Sequence, residues 1–196
     1  MTPQTLAALA LFALVTSITP GPNNLMLMAS GANFGFLRTV PHMLGVGLGF
    51  VAMVIGVGLG AVALFDRWPA AQSILTGASV VYMLWLAWKI ARAAPPGPGQ
   101  AGGQPLTFAQ AALFQWVNPK AWAMALGAVT LYAPGREPLA VLWVALVFGA
   151  INLPSVSVWA LMGTALRCWL AVPARLRAFN AAMAGLLVLS LVPLLM

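Results

Sequence analysis

Lys120, Asn23, Asn24, Asn152 and His42 are polar side chains set inside long apolar runs of the chain. Lys120 is the most telling of them. A charge near the middle of an apolar run is costly in lipid and functional by default, the bland alternative being a side chain that snorkels to an interface. It follows Asn118 and Pro119 directly, so it falls in the first turn of a helix resuming after a break. The helix dipole there already favours negative charge. A cation in that place calls for an anion to join it, and the carboxylate of a small substrate fits. Asn23 and Asn24 hold the matching place after Thr19, Pro20, Gly21 and Pro22. They read as substrate contacts, with helix capping as the competing reading. Asn152 either reaches the same cavity or makes an interhelical hydrogen bond, and the second is favoured. His42, near the end of its run, reads as a structural, partly solvated histidine in preference to a proton carrier.

Two broken helices must position these groups. Leu6 to Met28 is apolar and long enough to cross a bilayer, which takes roughly 20 residues, yet Pro20, Gly21 and Pro22 stand at its centre. Prolines remove backbone donors and glycine loosens the helix. In lipid such a break survives only where protein or a water-filled cavity receives the loose backbone groups. Pro119 repeats the interruption 99 residues after Pro20, at the matching point of the second half of a 196-residue chain. Paired interruptions at corresponding points of two halves are the mark of a transporter built from repeats.

Composition agrees on the class. Hydrophobic residues make up 62% and charged residues 6%, and mean hydropathy is +0.97. A soluble domain of this size has no way to hide that much apolar surface, whereas a bundle in lipid has no need to. The net charge of +7 is scattered between apolar runs, without a basic stripe, so nucleic acid is not an expected partner. The single cysteine, Cys168, permits no internal disulfide and no paired-cysteine redox motif. No Lys or Arg precedes Arg38, so the first apolar segment is expected to stay in the mature protein rather than act as a leader.

Six spans are expected: Leu6–Met28, Val40–Phe65, Ala70–Ile90, Phe108–Leu131, Pro138–Gly163 and Ala178–Leu195. The fold class is therefore an all-α membrane protein of six transmembrane helices, arranged as two inverted three-helix repeats with the first and fourth helices broken. The repeats are residues 1–92 and 108–196, joined by residues 93–107. Within that join, Ala93 to Pro105 holds four prolines and four glycines and reads as a flexible linker. Connections one, three and five carry six basic residues (Arg38, Lys89, Arg92, Arg167, Arg175, Arg177), against Arg67 and Arg136 on the even ones. The positive-inside rule places the odd connections and the linker in the cytoplasm, with both termini outside.

Gly45, Gly49, Gly56 and Gly60 share one face of the second span. Such a stripe admits a close neighbour, and packing within the chain is favoured over a homodimer interface. Trp68, Trp88 and Trp169 near span ends read as interfacial anchors in contact with membrane lipid, and the methionines as core filler.

The stretches TPGPNNLMLMASGANFGFLRTVPHMLGVGLG, GASVVYMLWLAWKIARA and FAQAALFQWVNPKAW resemble the lysine exporter (LysE/RhtB) family of bacterial amino-acid exporters over nearly the whole chain, most weakly in the linker and fifth span. The TPGPNN and LAWKIA elements look most like the branch exporting cysteine and O-acetylserine, or the neighbouring threonine and homoserine exporters. The resemblance implies a multi-pass protein of the bacterial inner membrane that exports amino acids or small derivatives by proton-driven antiport.

On this reading transport proceeds by alternating access between the halves, with the site where the two broken spans face each other. The substrate carboxylate would meet half-helix N-termini and Lys120, and its amino group the freed carbonyls near Thr19 and the asparagine amides. Proton-driven transporters usually carry an embedded acid, but Asp66 and Glu137 both fall at span ends. Lys120 is therefore the favoured proton carrier and His42 the competing one. No cofactor or metal is expected. One histidine, one cysteine and two loop acids do not furnish an enzyme's machinery. A structural or accessory membrane subunit is the alternative function, and it leaves a lysine beside a broken helix unexplained.

Overall fold

The computed structural model describes residues 1–61, 63, 67–68, 70–93 and 103–192. Its elements are helices α1 (Pro3–Ile18), α2 (Pro22–Phe34), α3 (Phe36–Gly58), α4 (Ala70–Ala91), α5 (Phe108–Phe114), α6 (Pro119–Tyr132), α7 (Pro138–Ala165) and α8 (Pro173–Leu189), with single 3-10 turns at Gln115–Val117 and Trp169–Ala171. It is an all-α membrane protein.

Local chemistry explains most boundaries. Thr2 caps α1 by accepting a hydrogen bond from Thr5 N, and Pro3 opens the helix. The helix stops at Ile18 because Pro20 disfavours a helical Thr19, which is extended. Pro22 then opens α2 in the place where proline's missing donor costs nothing. The two helices meet at a bend of 56°. Gly35 turns the chain from α2 into α3 at φ 84°, a left-handed conformation that glycine adopts without strain. A capping box of Thr107 and Gln110 starts α5. Pro119 holds Asn118 extended, and the Asn118 side chain caps α6 by accepting from Lys120 N at 3.1 Å.

Three of the expected spans need adjusting. The first runs on to Phe34 as a bent pair instead of ending at Met28. The second starts at Phe36 and its helix closes at Gly58, with residues 62 and 64–66 outside the described part. The sixth starts at Pro173 rather than Ala178, its helix ending at Leu189, and residues 193–196 are outside the description, as are 94–102 of the linker. Among the described helices, α3, the Ser73–Ala91 part of α4, and α7 are long and apolar enough to cross a membrane, and the α1–α2 pair qualifies as a fourth if taken as one span. The interruption at Asn118 keeps α5 and α6 short, and α8 has 17 residues with Arg175 and Arg177 near its start.

Helix α7 is central, packing on α1, α2 and α3, while α3 also covers α5 and α6, and α4 lies against α8. One apolar cluster gathers Leu9, Phe50, Met53, Ala125 and Phe148. Another gathers Met26, Leu27, Val46, Met83, Phe114, Val156 and Leu187. Large side chains such as Leu11, Leu48, Trp143 and Leu161 are exposed, as suits helices whose outer surface meets lipid. Three glycines of the stripe face the α5 side of the same chain. A Cβ at Gly49 would lie 2.6 Å from Ala112 Cα, one at Gly56 would lie 2.9 Å from Trp116, and Gly45 abuts the Phe108 carbonyl. Gly60 is not part of that contact, since it lies past the helix end at φ 103° and a Cβ there would meet nothing within 4 Å among the described residues.

Candidate functional site at the paired helix breaks

Ending α1 early strands the carbonyls of its last turn, and each must find a donor or be orphaned in lipid. The Asn24 amide donates to Ser17 O and Thr19 O, both at 2.8 Å. The Trp159 indole donates to Ile18 O at 3.0 Å. A further donor also comes from across the molecule. Lys120 Nζ donates to Thr19 O at 2.8 Å, Thr19 Oγ1 at 3.0 Å and Pro20 O at 3.1 Å. The first break is thus closed by the cation that follows the second. All of these lysine partners are neutral oxygens, so the charge is solvated but not neutralised.

Around this junction lies a small cavity of about 20 Å³, lined by Ser17, Gly21, Asn23, Asn24, Asn118, Lys120 and Asn152 among others. Phe50 from one apolar cluster and Val156 from the other also line it, so the polar site sits at the seam between them. That volume admits a water molecule and no amino acid. Thr19 and Pro20 are exposed and Lys120 is half-buried, whereas Asn24, Asn118 and Asn152 are buried. The structure therefore brings together Thr19, Pro20, Gly21, Asn23, Asn24, Asn118, Lys120 and Asn152. Pro22 and Pro119 act on the backbone by opening α2 and α6.

Asn152 makes the interhelical bond its sequence context suggested, donating to Ser17 Oγ at 3.1 Å, while its buried Oδ1 has no partner among the described residues. Asn23 is engaged by a residue that sequence reasoning passed over. Gln115, fully buried, exchanges two hydrogen bonds with it, Asn23 Nδ2 to Gln115 Oε1 at 2.8 Å and Gln115 Nε2 to Asn23 Oδ1 at 3.2 Å. An amide inside an apolar span, three residues before Asn118, was a usable signal for Gln115. Ser17 and Trp159 carried none comparable.

His42 is elsewhere, and it is not partly solvated. It is 1% exposed, neither ring nitrogen has a hydrogen-bond partner among the described residues, and it lines a separate chamber of about 60 Å³. Ser30, Asn33, Lys89 and Gln104 share that lining. The burial comes from α2 and α4, which close over a face that the α3 sequence alone leaves unassigned.

The family model described as "LysE type translocator" matches residues 14–195. Proteins named "Cysteine/O-acetylserine efflux protein" from Escherichia coli (strain K12) and Shigella sonnei (strain Ss046) are 32% identical over 165 residues, covering 83% of this chain and 84% of theirs. A protein of the same name from Klebsiella pneumoniae subsp. pneumoniae is 29% identical over the same length. No solved structure matches the chain significantly.

Proposed function

The chain belongs to the LysE type translocator family, a family of transporters rather than enzymes, and from that membership we infer that it exports amino acids or small derivatives across the bacterial inner membrane. The proposed first substrates are cysteine and O-acetylserine, the solutes in its relatives' names. The observation carrying this reading is the Lys120 ammonium seated on the carbonyls freed at Thr19 and Pro20, where the two halves meet. A scaffold has no use for a charge and a broken helix closing each other at mid-span. The test is export of radiolabelled O-acetylserine and cysteine from liposomes containing the purified protein. Efflux no faster than from empty liposomes, for these and for a panel of other amino acids, would exclude the reading.

Alternating access between two inverted repeats is the proposed mechanism. It is supported by the pairing of elements: α1 packs on α7 as α5 packs on α3, α2 on α7 as α6 on α3, and α3–α7 and α4–α8 pair with each other. Each of those relations maps onto its partner when residues 1–92 are exchanged for 108–196. The small cavity fits a closed conformation, from which rocking of one repeat would open the site to either side.

The proposed orientation keeps the odd connections in the cytoplasm and both termini outside. Cys168 is exposed and lies in the fifth connection. A membrane-impermeant maleimide applied to sealed cells should leave it unlabelled and should label it once the membrane is permeabilised, with Arg136→Cys in a Cys168→Ser background labelled in both cases. Labelling of native Cys168 from outside would reverse the topology.

For proton coupling, the seating of Lys120 shifts preference to His42. An ammonium has three donors, and all are used on backbone and hydroxyl oxygens, whereas neither imidazole nitrogen has a partner among the described residues, in a chamber with room for water. Lys89 is the charged side chain sharing that lining, and Arg38, on the same helix, is drawn over Phe34. The proton would come with water entering past Gln104 and Lys89, which line the chamber. His42→Gln should transport down a substrate gradient at near wild-type rate but no longer respond to an imposed pH gradient. A pH response surviving in that variant and vanishing in Lys120→Arg would return the role to Lys120.

A further inference from the structure

We propose that Lys120 occupies, with its own ammonium, the seat that a substrate's ammonium takes, so that the site accepts zwitterions by exchange. This rests on the export reading and adds to it the rule by which the site selects. Thr19 O, Thr19 Oγ1 and Pro20 O, at 2.8, 3.0 and 3.1 Å, match the three donors of an ammonium one for one. Nothing in that cage distinguishes a lysine's ammonium from that of a free α-amino acid. The three oxygens serve one ammonium at a time, and since Thr19 and Pro20 are exposed, an entering ligand can reach them.

The lysine stem reaches the cage across Gly21. A Cβ there would lie 2.6 Å from Lys120 Cδ and 3.1 Å from Nζ, so the absence of a side chain is what lets the stem pass. Lifting the stem away opens the same space to a ligand. Asn152 Oδ1, buried and without a donor among the described residues, supplies a further acceptor for an entering ammonium.

Exchange imposes two conditions at once. The ligand needs an ammonium to fill the oxygens that Lys120 leaves. It also needs an anion close by, because the displaced Lys120 is then a cation stripped of all three partners. An α-carboxylate, its carbon two bonds from the ammonium nitrogen, meets the second need. An amine without a carboxylate displaces nothing that can be held, and a carboxylate without an amine leaves the seat with its original occupant.

The experiment measures equilibrium binding to purified protein in lipid nanodiscs, using O-acetylserine, its α-methyl ester and its N-acetyl form. Wild type should bind the zwitterion more than about tenfold better than either derivative. In Lys120→Met the seat is vacant, and the methyl ester should bind at least as well as the zwitterion. An unchanged preference for the zwitterion in that variant would overturn the proposal. A second readout needs no substitution: the chain has two lysines, Lys89 and Lys120, so protein labelled with ¹⁵N-lysine gives two side-chain signals. Saturating zwitterion should move one of them and the methyl ester neither, and two unmoved signals with zwitterion bound would also overturn it. Should wild type bind no amino acid at all, the export reading fails instead.

Discussion

Lys120→Ala should insert in the membrane, purify as a monodisperse species and export O-acetylserine at least about a hundredfold more slowly than wild type. The estimate follows from breaking a sheltered ion pair, which costs about 3–5 kcal/mol when one partner is removed and the other stays, with tenfold per 1.4 kcal/mol. Here the stranded partner is the substrate's carboxylate. The variant should still fold, because both main clusters are built from other residues, and the Asn118 cap of α6 accepts from the backbone N–H of residue 120, which alanine retains. The carbonyls of Thr19 and Pro20 lie at exposed residues and can turn to water. Export rates in proteoliposomes, normalised to inserted protein, decide the matter. Transport within about threefold of wild type would remove Lys120 from the site, that factor being roughly the worth of a surface ion pair.

What sequence could and could not disclose about this site follows from how far each determinant reaches. Proline grammar is local: Pro20, Pro22 and Pro119 dictate where helices stop and restart, and the breaks at Thr19–Gly21 and Asn118 are where that grammar places them. Lys120 was conspicuous because a charge in an apolar run needs no partner to be noticed. Its partners were another matter, since Thr19 is 101 residues away and nothing in either segment says that a lysine would answer carbonyls that a substrate was expected to meet. The Asn23–Gln115 pair, spanning 92 residues, is hidden for the same reason. His42 shows the converse error. Its place near a span end suggested contact with water, yet its exposure is decided by α2 and α4 folding over it, which no pattern within α3 encodes. Gly31 and Gly163 drew no notice because neither belongs to a closely spaced row of glycines, while the conspicuous stripe on α3 turned out to serve the packing of α5.

Those two glycines should carry the largest effect on stability. At the α2–α7 crossing the helices touch backbone to backbone. Gly31 faces the Ala160 carbonyl, and Gly163 faces the Met28 carbonyl and lies where a Cβ would be 2.9 Å from Ala32 N. Small residues permit such closeness in lipid, where van der Waals packing and interhelical hydrogen bonds replace the hydrophobic drive. Thr164 Oγ1 adds a bond to Ala160 O at 2.8 Å on the same helix and approaches Gly31 O at 3.4 Å. A side chain at either glycine meets main chain, which cannot rotate aside, so the helices must part. Overpacking costs typically about 1–3 kcal/mol, and more when the backbone must move. At about 3 kcal/mol, a domain of this size loses roughly 6–12 °C of melting temperature. Separation also spreads the site, because α2 carries Asn23 and Asn24 while α7 carries Asn152 and Trp159. Gly163→Val and Gly31→Val should therefore melt lower by that margin, or fail to extract as monodisperse protein, and lose transport together with stability. Gly77→Ala and Gly185→Ala, where a Cβ would meet nothing within 4 Å among the described residues, should be neutral or slightly stabilising. Melting curves that place Gly163→Val beside those two controls would mean that the close α2–α7 contact is not what holds the two breaks together.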